Sequence, residues 1–337
     1  MITLCLKKSL DRLSLRHSFL LIPLVLACFA LLLVPNGFGV VPAPDGGYPG
    51  NNTAEGQSAL LNLTTGINNT AVGWMSLSRV TDGQLNTAVG AGALSASTGN
   101  LNTATGGAAL FSNNSGFYNT ASGALALYHN TTGPFNTANG AFALFGNTTG
   151  YSNTAVGSSA LISNTVGYDN TATGINALFS NIGGFWNTAI GSGALFSNTA
   201  NGNTATGFHA LYGNTTGDDN TANGDEALAH NTLGYYNTAI GAYALYNSTG
   251  GSNTALGYHA GGGVTTAGGV ICIGAEGANV SNSCFIGNIF GAHVAIGAVP
   301  VIVDSNGQLG TQMSSRRFKK EIRPMGQASE RSWHSSQ

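Results

Sequence analysis

Charged residues make up only 7% of this 337-residue chain, 42% are apolar and 50 are Gly, which excludes both an unfolded polyelectrolyte and a purely polar linker. The formal net charge is −2, and basic residues gather at the two ends, with Arg79 alone between Arg16 and Arg316. The long middle therefore lacks the clustered Lys and Arg that a nucleic-acid backbone requires.

The chain opens with Lys7, Lys8, Arg12 and Arg16, followed by the apolar run "FLLIPLVLACFALLLV" from Phe19 to Val34. "PNGFGVVPAPDGGYPG" then breaks any helix with Pro and Gly. Basic, apolar, then breaker is the order of an export leader. The run is long for the apolar core of a cleaved leader and short for a comfortable membrane span. Residues 1–44 thus read as a signal peptide or a retained N-terminal anchor with a linker. "VLAC", ending at Cys28, faintly resembles a lipoprotein site, although the apolar run continues past it. Each version places the remainder outside the cell or on its surface, with a membrane met only through this segment.

From residue 52 the triplet Asn-Thr-Ala starts thirteen times, at intervals of seventeen or sixteen residues, the last at Asn253. Counting places from that Asn, the consensus is N-T-A-x-G-x-x-A-L-x-x-N-T-T-G-x-x. A short fixed period means that each unit is one turn of structure, burying a core only jointly with its neighbours. Helix pairs need more residues and fewer Gly, and collagen needs Gly at every third place. A coil of strands fits: seventeen residues hold two strands of roughly four to five residues and two turns. Asn and Gly would supply left-handed turn conformations. Leu at the ninth place, with Ala at the third and usually the eighth, would make a thin core. Coils about 4.8 Å apart would stack the Asn of the first and twelfth places into amide ladders. The three sixteen-residue units lose their residue somewhere after the Leu. The expected fold is an all-β parallel β-solenoid, or β-roll, of about thirteen turns over residues 45–261.

Aromatic residues form two ranks. One follows the Leu and includes Phe111, Tyr128, Phe145, Phe179, Phe196, Tyr212 and Tyr246; the other follows NTTG and includes Tyr151, Tyr168, Phe185, Trp186, Tyr235 and Tyr236. They read as ligand platforms, or as a subunit interface or corner of the core. A coil this thin buries little apolar area alone, so association is expected.

Strings such as "NTAIGSGALFSNTAN", from Asn187 to Asn201, resemble the head repeats of trimeric autotransporter adhesins. The resemblance covers residues 52 to about 261. It implies left-handed parallel β-rolls, three chains around an axis and an adhesive role. Nothing in the chain resembles the C-terminal membrane barrel of those adhesins.

The intact repeat ends where Gly261 replaces the Leu, and "GGG" at Gly261 to Gly263 reads as a linker rather than a phosphate loop, since no helix pattern follows. Residues 262–312 read as a degraded β-repeat and neck. Aligning Gly274 with Gly287 sets Cys272 beside Phe285 and Ile271 beside Cys284, so the two thiols face opposite sides and stay free.

"DSNGQLGTQMSSRRFKKEIRPM", Asp304 to Met325, resembles the opening of the intramolecular chaperone at the C-terminus of phage tailspikes and fibres. That family assembles three chains and then cuts itself off with a serine–lysine dyad. The resemblance implies Ser314 as nucleophile, Lys319 as base and Met313–Ser314 as the cleaved bond, with Ser315 where Asp is common. A Lys base must be desolvated, and only about two dozen residues follow Gln312, too few to bury it. Residues 313–337 therefore read as a solvated basic tail, a truncated chaperone start without activity. After "ASE", the closing "SWHSSQ" back-translates, two bases out of frame, into Leu-Ala-(Phe or Leu)-Lys-Pro for permitted codons, close to that family's continuation. A frameshift is the expected cause. Mass spectrometry of the full chain should show an intact Met313–Ser314 bond; a fragment ending at Met313 that Ser314→Ala abolishes would count against this.

His129, His209, His230 and His259 fall in different repeats without metal spacing, and the Asp-rich calcium nonapeptide is absent, so neither metal nor cofactor is expected. The N-x-T triplets match glycan acceptors, but turn chemistry already accounts for them. Two functions fit: a structural or adhesive surface fibre acting as a homotrimer, or a solenoid binding glycan on its aromatic ranks or ice on its Thr ranks. Ice binding favours outward Thr pairs separated by one residue, which NTA and NTT do not offer. No enzymatic activity is expected.

Overall fold

The computed structural model describes residues 48–290, 292 and 301–311. The leader, Ser314 and Lys319 lie outside the described residues. The first Asn-Thr-Ala unit forms strand β1, Thr53–Glu55, and each later unit contributes one three-residue strand, among them β7 (Thr154–Val156), β8 (Thr171–Thr173) and β13 (Thr254–Leu256). Two further strands, β14 (Ile271–Ile273) and β15 (Cys284–Ile286), extend the stack. The fifteen strands lie parallel in chain order, with Thr opposite Thr and Ala opposite Ala through the first thirteen, giving a β-solenoid of about fourteen turns.

Strand alternation explains the triplet. Ala at the third place points inward and is fully buried, while Thr and the fourth residue point out. In the coil that starts at Asn153, Ala155, Ala160 and Leu161 are all 0% exposed, and the same three places form one continuous core along the array. One Leu and two Ala make up the apolar cross-section of most coils, with Val80 and Val264 added in outer ones.

The expected second strand is absent from the assigned elements of each coil. The chain past the strand instead runs through left-handed positions at the fifth, seventh and ninth places, for example Gly157, Ser159 and Leu161. A backbone with positive φ at alternate residues cannot keep a pleat. It still pairs from coil to coil, the Leu161 N–H donating to the Ala177 carbonyl at 3.0 Å.

The left-handed residues also differ from expectation. The stacked Asn of the first and twelfth places are not among them, whereas the ninth-place Leu is, with φ between 48° and 53° in twelve coils. That conformation costs about 1–2 kcal/mol for an L-residue. Burial of a Leu side chain returns about 1.5–3 kcal/mol. Leu persists there because it is the only large group in the core.

The residue missing from the three short coils is located by the Asn side chains. Their Nδ2 groups normally reach a Gly carbonyl fourteen residues on, as Asn153 does with Gly167. In the short coils the partner is thirteen residues on: Gly99 for Asn86, Ala200 for Asn187, Gly250 for Asn237. The deletion thus lies inside the Thr-Thr-Gly turn.

Gly261 to Gly263 are not a linker. Gly261 N–H donates to the Ala275 carbonyl and Gly263 N–H to Glu276, each at 2.9 Å, so these residues form part of a coil. Strands β14 and β15 pair in the expected register, Ile271 with Cys284 and Cys272 with Phe285. Both thiols are free, Cys272 buried and Cys284 exposed, and burial first, then Cys284, pushes the Cys272 thiol upward. The chain divides into two compact units after Gly287. In the second, Val301–Val303 (β16) pairs antiparallel with Leu309–Thr311 (β17). Asp304 Oδ1 accepts the Asn306 and Gln308 N–H groups at 2.9 and 2.8 Å to close the turn between them.

Candidate functional site

Two polar ladders run inside the solenoid. In the first, each Asn side chain ties its own coil and the next. Asn153 Nδ2 donates to Asn136 Oδ1 at 3.1 Å and to the Gly167 carbonyl at 2.8 Å. Its Oδ1 accepts from the Asn170 backbone N–H at 3.1 Å and from Asn170 Nδ2 at 3.0 Å. The second ladder holds eight amides, from Asn113 to Asn231, with buried Ser97 and Ser248 at its ends and Val80 and Val264 beyond them. Asn113 Nδ2 donates to Ser97 Oγ at 3.2 Å. In this second ladder apolar residues take the place of the amide in the outer coils, whereas the first ladder starts at buried Asn52 in the first coil. Asn181 Oδ1 alone is left without a partner among the described buried side chains, at the step into the short coil where Asn198 Nδ2 turns to the Ala200 carbonyl. After the last Asn-Thr-Ala coil, Asn279 Oδ1 accepts the N–H groups of Thr265, Thr266 and Ala267 at 3.0, 2.9 and 2.7 Å. These amides hold coils together, and apart from Asn181 Oδ1 their buried polar atoms are all partnered.

The remaining candidate groups lie on the surface. On the strand face, the second-place Thr rank runs beside a fourth-place rank that includes exposed Val72, Val89, Val156, Ile190, Ile240 and Leu256. Three coils pair outward Thr across one Ala: Thr103 with Thr105, Thr171 with Thr173 and Thr204 with Thr206. The sequence reading missed these pairs, because the fourth place lies outside the repeated triplet. They do not adjoin, since Ser122, Asn139 and Val156 intervene after Thr105 and Ile190 separates Thr173 from Thr206.

The aromatic ranks lie along other faces. Phe111, Tyr128 and Phe145 stack with centroids 5.2 and 5.4 Å apart; Phe179, Phe196 and Tyr212 at 4.8 and 4.9 Å; Tyr151, Tyr168 and Phe185 at 4.9 and 4.8 Å. The tenth-place rings are half-buried within the single chain. In such stacks each ring face is covered by the next ring, so a ligand meets mainly edges.

The His residues lie against these rings: His129 meets Tyr128 and Phe145 by edge contacts, His209 stacks on Phe208 and His230 meets Tyr246. Among the described residues no group of three or more His, Cys, Asp or Glu could hold a metal ion. Glu226, then Asp225, pushes the Tyr243 phenol above its ordinary range. Tyr246 is raised by burial first and then by Glu226. Comparisons with protein-family models, curated proteins and solved structures gave no match in any of the three.

Proposed function

We propose that this chain is an exported structural or adhesive surface fibre that works as a homotrimer. The supporting observation is the fourth-place rank. Its Val, Ile and Leu residues stand exposed among Thr105, Ser122, Asn139, Thr173, Thr206 and Asn223, and four of them, Ile240, Leu256, Ile273 and Ile286, adjoin in consecutive strands. An exposed run of adjoining large apolar side chains marks an interaction surface. Copies laid side by side would cover it. The basic-then-apolar leader and the adhesin-like repeat motif supply the export and adhesive parts of this reading. Ser314 and Lys319 enter it only as the remnant of a self-cleaving assembly chaperone, on their spacing and resemblance.

Sedimentation of the full chain should give three copies. Ile240→Lys combined with Leu256→Lys should shift it to single chains, because two buried like charges per copy would face each other around the axis. A wild-type chain that sediments as a stable monomer overturns the trimer.

A further inference from the structure

We infer that Trp186 is the centre of a binding platform for neutral polysaccharide, an inference that rests on the adhesive reading and names the chemistry of what is bound. Trp186 occupies the seventeenth place with φ of 58°, a left-handed corner. Other coils fill that corner with Gly202, Asp169 or Asp219, residues that adopt it at low cost, and also with Leu85, Leu101, Tyr118, Phe135 and Tyr236. The indole is 62% exposed, so neither the local backbone nor the core requires it.

Its orientation, which Tyr236 shares against Tyr235 at 89°, separates it from the stacked ranks. The ring stands nearly perpendicular to Phe185, at 4.9 Å and 88°, and to Tyr168, at 6.5 Å and 85°. At the same place, Tyr118 and Phe135 lie parallel at 5.4 Å and cover one another. No ring stacks on Trp186 among the described residues, and the next coil offers Gly202 at this place, its N–H bonded to the Phe185 carbonyl at 3.0 Å. Two exposed carboxylates share the rank, Asp169 one coil before and Asp219 two coils after. The Asp219 carboxylate fills the side-chain space of Gly202: a methyl group there would lie 3.2 Å from Asp219 Cγ.

A flat aromatic face flanked by acceptors suits a pyranose ring, whose C–H face packs on the indole while its hydroxyls donate to the carboxylates. Charge selects among sugars. The only Lys or Arg among the described residues is Arg79, on a distant coil, so sulfated or carboxylated polymers meet acids without a compensating cation. A single open face on one indole is also not the multi-ring cage that holds quaternary ammonium groups.

The test is electrophoresis of the full chain through gels containing hydroxyethylcellulose, galactomannan or dextran, with heparin gels and added choline as comparisons. At least one neutral polymer should retard the protein. Trp186→Gly should weaken that retardation about tenfold or more, without lowering the thermal midpoint, since Gly suits the left-handed corner. Leu101→Gly, at the same place on another coil, should leave retardation unchanged. Retardation by none of the three neutral polymers, by heparin alone, relief by choline, or full retardation of Trp186→Gly overturns the proposal. So does a Trp186→Gly variant that changes the number of chains in sedimentation, because the ring would then belong to a subunit contact. Adhesion of protein-coated beads to a cell layer separates the two readings. Beads that adhere while no neutral gel retards the protein leave the adhesive fibre standing without this platform; beads that never adhere overturn the adhesive reading itself.

Discussion

Replacing Gly157 by Ala should split the solenoid at the seventh coil. Gly157 has φ of +128°, a region that L side chains rarely adopt, and an added Cβ would lie 2.6 Å from the Gly174 carbonyl oxygen and 2.7 Å from its carbon. Those atoms belong to the backbone of the next coil. They cannot move away cheaply, because the Gly174 N–H donates to the Val156 carbonyl at 2.8 Å and β7 is paired with β8. The backbone strain and the overpacking each cost about 1–3 kcal/mol, so a loss on the order of 3–6 kcal/mol is expected. Stacked repeats communicate only with their neighbours, so the damage divides the array into two blocks. Urea unfolding followed by circular dichroism should show either a large fall in the midpoint or two separate transitions. Gly107→Ala supplies the control: it has ordinary φ and nothing within 4 Å of the added methyl. It should be neutral or slightly stabilising. If the two variants unfold alike, the close approach of the fifth-place Gly residues is not what sets the coil spacing.

The contrast between these two Gly residues marks what could be read from the sequence. The period, the Ala and Leu core, the amide ladders and the Cys register all follow from repetition, because a fixed period puts like residues above like. Repetition does not reveal backbone conformation. Leu161 in a left-handed corner contradicts local propensity, and only the packing of its side chain in a thin core explains it. The same conformations shorten each coil's strand to three residues, so two strands of four to five residues were not found. For the surface, the sequence ranks Trp186 with every other aromatic after the NTTG turn. Its ring stands across the stack, as Tyr236 does against Tyr235, an orientation that a one-dimensional pattern does not display. The Thr-Ala-Thr pairs were legible, but weighing them needed the strand boundaries that place both Thr outward.

The largest effect with a pH signature is expected at the buried ladder, in Asn153→Asp. In the native protein Asn153 Nδ2 faces two oxygens, Asn136 Oδ1 at 3.1 Å and the Gly167 carbonyl at 2.8 Å. An ionised Asp would put a third oxygen there without a proton, at a position that is 0% exposed. Desolvation and the facing oxygens both disfavour the charged form, so the folded-state pKa rises above the unfolded value of about 3.9. The sign follows: between those two values the folded state binds more protons than the unfolded one, and stability falls as pH rises through that window. Above it the full penalty applies, on the order of 3–5 kcal/mol for an uncompensated buried charge. Below it the acid is neutral in both states, and its O–H can donate to the Gly167 carbonyl. Asn153→Ala should behave differently. It leaves the Asn170 N–H without its partner, at about 1–3 kcal/mol, while the Gly167 carbonyl keeps the Asn164 Nδ2 donor, and it introduces no titrating group. Urea unfolding of both variants and the parent, from pH 7 down to pH 4, separates the cases. The Asp variant's deficit should shrink with acid while the Ala variant's stays constant. An Asp deficit that does not change with pH, or one below about 1 kcal/mol at pH 7, would mean that the first-place ladder tolerates a carboxylate and is not the dry hydrogen-bonded spine that its geometry describes.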